Sequence, residues 1–165
     1  MSIQTSGRTL ATMPAHARLW VYKSAQPFSP EQHAAINASS QAFVDGWSSH
    51  GRLMDAWAGT YLDHFLLIAA DQEQALASGC GIDKSVRFVQ ELERATGLTL
   101  TDRMVLVYVA ADGVRTARVQ DVPDLLGSGG LTADTIVYDD LVTSKKEFDV
   151  RFRARLADTW LARYL

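Results

Sequence analysis

The only cysteine of the chain, Cys80, stands between Gly79 and Gly81, just ahead of an amphipathic segment that opens near Asp83. This places a thiol beside the unpartnered amides of a helix start, where the local positive potential favours the thiolate. His50, followed by Gly51, is the candidate base, so Cys80 and His50 form the candidate catalytic pair of a thiol-dependent enzyme. The same turn could cradle a small anion. Gly79 and Gly81 would let backbone approach it, with Asp83, Arg87 and Arg103 completing the candidate ligand-binding set. Plainer readings compete at each position. A lone cysteine between glycines more often packs than reacts. Asp83 suits the N-cap of the following helix, with Arg87 as its i, i+4 partner, and a capping carboxylate would repel an anion from those amides.

Other constellations are weaker. His16, His33, His50 and His64 form no H-x-H or H-x-x-x-H pair, and no C-x-x-C exists, so no metal site and no cofactor is expected. His33 and His64 read as surface or edge residues. Residues 145–165 carry six Lys and Arg against three acids, and Arg151, Arg153 and Arg155 alternate as if along one side of an extended segment. Such a stripe could meet an anion or RNA, but a solvated edge strand guarded by its charges, or a set of pairs to the acidic body, is the simpler reading. The aromatics Trp20, Tyr22, Trp47, Trp57, Tyr61 and Trp160 could line a ligand pocket, but at strand and helix spacing they read as core.

These residues must be positioned by a modest chain of 165 residues, 47% hydrophobic and 21% charged, with a net charge of −3. That composition predicts one soluble globular core and offers no general attraction for nucleic acid or acidic membranes. No apolar run reaches membrane-spanning length, and a single cysteine suits a reducing compartment. The expectation is a cytoplasmic protein with a flexible N-terminal arm over residues 1–17 and one domain over 18–165.

The predicted elements are a strand Arg18–Ala25, a helix from Pro30 to about Ser49, strands Leu53–Tyr61 and His64–Ala70 joined at Leu62-Asp63, and a helix over 83–96. A strand Arg103–Ala110 then turns at Asp112-Gly113 into Val114–Val119. The first helix has a strong start: Ser29 as cap, Pro30 at the first position, and Gln32 closing a capping box. Beyond them come a short helix Asp121–Leu126, a strand Thr135–Tyr138, a helical Thr143–Val150, and an aromatic end, Asp158–Leu165, that must dock. The order strand-helix-strand-strand-helix-strand predicts an α+β fold with a ferredoxin-like βαββαβ core, a mainly antiparallel sheet and a C-terminal β-hairpin and short-helix extension. Both long helices should cover one sheet face, leaving the other for the tail or a second subunit.

Several segments carry a family resemblance: Ala17-Arg18-Leu19-Trp20-Val21-Tyr22, Trp47-Ser48-Ser49-His50-Gly51, Ser78 to Phe88, Asp102-Arg103-Met104, Asp134 to Tyr138, Leu141-Val142-Thr143, and Asp158-Thr159-Trp160 with Arg163-Tyr164. Through them the chain resembles an uncharacterised family of small bacterial proteins, frequent in Bacteroidetes-type genomes and often labelled "ABC transporter ATPase". The resemblance implies a cytoplasmic fold and no particular activity. Gly81 stands where that family's pattern usually has serine. The ATPase label conflicts with the residues. A P-loop requires glycine immediately before Lys-Ser/Thr, and here Asp83 precedes Lys84-Ser85, a negative charge where phosphate would lie. The expected function is a small ligand- or protein-binding module, regulatory or scaffolding, that takes a small anionic ligand or forms a homo-oligomer. A Cys80 thiol enzyme is the alternative.

Overall fold

The computed structural model describes residues 8–49, 51–72 and 79–165 and shows an α+β protein built in layers. Its first sheet has the strand order β1-β5-β4, all antiparallel, with β1 Arg18–Lys23, β4 Asp55–Tyr61 and β5 Phe65–Asp71. Two long helices, α1 Pro30–Gly46 and α2 Gly79–Thr96, cover one face of it. The expected capping box closes α1. The Ser29 hydroxyl accepts from the Gln32 amide at 3.1 Å, and the Gln32 side chain accepts from the Ser29 amide at 2.9 Å. The helix ends at Gly46 instead of Ser49, because Ser48–Ser49 (β2) turns back to pair with Arg52–Leu53 (β3).

The other face of the first sheet is covered by this same chain. A second antiparallel sheet, in the order β7-β6-β8-β9, lies against it, with β6 Val105–Ala110, β7 Gly113–Arg118, β8 Ile136–Tyr138 and β9 Arg153–Arg155. Leu19, Phe65, Leu67 and Ala69 of the first sheet meet Val105, Val107, Tyr138 and Phe152 in a dry core between the layers. Every residue of β5 is therefore buried, which accounts for its almost unbroken apolar run. The face expected to be left for the tail or a second subunit is thus taken by the tail, through Tyr138, Val142 and Phe152, together with β6. The strand expected to complete the first sheet, β6, pairs instead with β7 and β8. Alternation along β6 explains this. Val105 and Val107 face the first sheet, while Leu106 and Tyr108 face a third core with Val122, Leu131, Leu156 and Leu161, so both faces of β6 need a layer.

The short helices α3 Val122–Ser128 and α4 Lys145–Arg151 flank the second sheet, and Leu161 of the last turn is buried, so the aromatic end docks as expected. Two further expectations are corrected. Arg151 belongs to α4, so only Arg153 and Arg155 share the extended segment. Arg151 pairs with Asp139 and Glu147, and Arg155 with Asp134 and Asp158, because acids of neighbouring turns face them. His64 is buried, not at the surface, since its Nδ1 lies 2.9 Å from the Ser24 carbonyl at the end of β1. From Arg8 onward the N-terminal segment is held against the body, with Met13 and Ala17 buried and Arg8 paired to Asp55.

Candidate functional site

The residues around Cys80 take a different local form from the expected turn. α2 starts at Gly79, so Gly79, Cys80 and Gly81 are its first turn and Asp83, exposed, lies inside the helix rather than at its N-cap. Glycine costs a helix about 1 kcal/mol relative to alanine. Docking opposes that cost here: the indole nitrogen of fully buried Trp47, next after α1, donates to the Gly81 carbonyl at 2.9 Å. A side-chain donor at the end of α1 thereby ties the first turn of α2 to it. Asp83 and Arg87 form no ion pair with each other among the described residues. His50 lies outside the described residues and Cys80 is described only by its backbone, so nothing places the thiol beside the imidazole.

The candidate ligand-binding residues separate. Arg87 lines a cleft of about 510 Å³ between α1 and α2, with Phe43, Trp47, Lys84, Phe88 and Glu91. Its apolar centre is a stacked pair, Phe43 on Phe88, with centroids 4.4 Å apart. Arg103 lines other hollows, on the flank of α2 that carries Val86 and Val89. At 100° per residue those two side chains point away from Lys84, Arg87 and Glu91.

That second location is the more site-like. Two adjoining hollows, of about 320 and 460 Å³, run along the outer edge of β1 and share Trp20, Val21, Arg103 and Asp140 as walls. The first adds Tyr22, Lys23, Leu100 and Asp102; the second adds Arg18, Leu141, Thr143 and Trp160. Two loops close the cleft over β1. Asp102 shapes one by accepting from the Met104 amide at 2.9 Å and pairing with Arg118 of β7. Asp139 shapes another: its carboxylate accepts from the Leu141 amide at 3.0 Å and from Arg151 at 2.6 Å. The turn so held presents Asp140 to the buried Lys23 ammonium, and the two form an ion pair. Charged groups this far from water persist only when paired.

The electrostatics of the cleft are lopsided. Its carboxylates are engaged, Asp140 by Lys23 and Asp102 by Arg118. Asp102 is held below the usual carboxylate range, first by the Arg118 hydrogen bond and then by the Met104 amide. Arg103 has no hydrogen bond or ion pair among the described residues, and Arg18 makes only a cation–π contact, 5.4 Å from the Trp20 ring. Burial raises the Tyr22 hydroxyl above its ordinary value, with Arg103 pulling weakly the other way, so Tyr22 stays a neutral donor. Two guanidinium groups thus face one cleft with no carboxylate paired to them among the described residues.

No family model, curated protein or solved structure matches the chain. Sequence reasoning singled out Arg103 in this cleft, and weighed Trp20, Tyr22 and Trp160 as pocket aromatics before reading them as core. Lys23, a charge ending an apolar strand, and the doublet Asp139-Asp140 were the available signals, but their meeting joins residues 117 positions apart. Among the described residues no three potential ligands cluster to hold a metal ion, and no helix is long and apolar enough to cross a membrane.

Proposed function

We propose that this protein is a small binding module, regulatory or scaffolding, that takes an anionic ligand in the cleft along β1. The observation that carries the reading is the pair Arg18 and Arg103, both lining the cleft and both without a carboxylate, beside acids that already have partners. Guanidinium groups recognise carboxylates and phosphates through charge-assisted, often bidentate, hydrogen bonds. Residence in the cytoplasm belongs to the same reading, as does a ferredoxin-like origin for the first half of the chain. The first-third-second order of its strands supports that origin. So does Leu100, whose carbonyl accepts from the Lys23 amide where a fourth strand would run. Chemistry of the P-loop kind is not part of the proposal, since the residues before Lys84 are wound into α2.

The test is a titration of isotope-labelled protein with acetate, succinate and inorganic phosphate, followed by NMR. Shifts concentrated at residues 18–23, 100–103 and 140–143, and lost in Arg103→Gln, are expected. Shifts confined to the start of α2, or none at all, would overturn the assignment of the site.

A further inference from the structure

The backbone of β1 adds information that the arginines alone do not. β1 pairs with β5 along one side, its other side being bridged among the described residues only at Arg18 to Ser144, and in the β5 ladder the even-numbered residues exchange hydrogen bonds, as the Ser24 amide to His64 carbonyl bond of 2.8 Å confirms. The odd-numbered residues therefore direct their N–H and C=O groups outward. Two of them find partners in loops: the Leu19 amide donates to the Thr143 carbonyl at 3.0 Å, and the Lys23 amide to the Leu100 carbonyl at 3.2 Å. Val21, midway between, directs its amide and carbonyl into the cleft and has no partner for them among the described residues.

We infer that the anionic ligand of this cleft is the carboxylate end of a short extended peptide, paired through its main chain to Val21 and through its terminus to Arg103. This rests on the function proposed above and specifies its ligand. An unpaired strand edge is a template for another extended main chain. Leu19 and Lys23 close the opening at both ends, and the four residue steps between them span about 13 Å. That length admits two or three extended residues and excludes a continuous strand from a second copy of this protein. A chain end fits where a chain middle does not, and a chain end of this kind carries the negative charge that Arg103 and Arg18 lack. One ligand residue opposite Val21 would accept from its N–H and donate to its C=O, the exchange made by a hydrogen-bonded antiparallel pair. Trp20 and Tyr22 on one side, and Leu141 and Trp160 on the other, would flank the peptide's side chains.

The experiment uses the full chain, labelled with nitrogen-15, and changes the probe rather than the strand. The tripeptide Ala-Val-Ala with a free carboxylate is compared with its C-terminal amide, with a form methylated on the valine nitrogen, and with succinate. The free acid should move the Val21 amide proton downfield, and either modification should weaken binding by about tenfold or more. If succinate binds as well as the tripeptide, with Val21 unmoved, the peptide assignment fails while the anion site stands. If no probe binds at the cleft, both fail. A concentration-dependent dimer that shifts Val21 without any peptide would also overturn the inference.

Discussion

Ser40 shows how much a single atom can decide. It lies in α1 with no exposed surface, and its hydroxyl is without a hydrogen-bond partner among the described residues. Burying an unsatisfied hydroxyl costs about 1–3 kcal/mol, and alanine is the better helix former. Ser40→Ala should therefore raise the denaturant midpoint at unchanged slope, by about 1 kcal/mol of stability. A loss of stability would mean that the hydroxyl has a bridging partner. Trp47 is the opposite case, a fully buried residue whose polar atom is satisfied, and by the first turn of the very helix it helps to place. The sequence marks Cys80 and its glycines as a turn. The indole contact to the first turn of α2 spans 34 positions and leaves no local trace.

At the scale of elements, α1 is locked to β4 by a close approach at Gly59. Asn37 accepts from the Thr60 amide at 3.0 Å and donates to the Thr60 hydroxyl at 2.9 Å, which covers part of the β4 edge. A Cβ on Gly59 would fall 2.9 Å from the Asn37 side-chain oxygen and 2.9 Å from the Trp57 ring. Asn37 cannot swing away without breaking both bonds. Gly59→Ala should cost about 1–3 kcal/mol, as overpacking does, and Asn37→Ala in that background should recover part of it. Purely additive losses on thermal unfolding would refute the clash. Elements legible in the sequence are those with local causes: the capping box of Ser29 and Gln32, the Asp112-Gly113 hairpin, and the apolar run of β5. What the sequence conceals is pairing. β6 has the pattern of a central strand in either sheet, and only the need to cover both its faces assigns it to the second. The cleft is concealed for the same reason, because it forms where the loop before β6 and the turn after β8 close over β1.

For the whole molecule, the layers predict how stability responds to alkali. Tyr22 lies among the residues packed between helices and first sheet, and Tyr61 between the two sheets. Burial raises both hydroxyls above the ordinary tyrosine value. Arg103 tempers the first, while Tyr138 adds to the second and Arg153 tempers it. For a group raised on folding, stability is fully present below the unfolded value, about 10 for tyrosine, and falls as pH rises from there through the folded value. The unfolded chain loses its phenolic protons first, so raising the pH between the unfolded and the folded value favours unfolding. Urea midpoints should hold level up to about pH 9 and then decline. Tyr22→Phe and Tyr61→Phe should each make that decline shallower, and the double variant shallower still. The two rings occupy different layers and share no contact, so their effects should add. A double variant that declines as steeply as the parent would refute the assignment of the alkaline sensitivity to these two half-buried phenols.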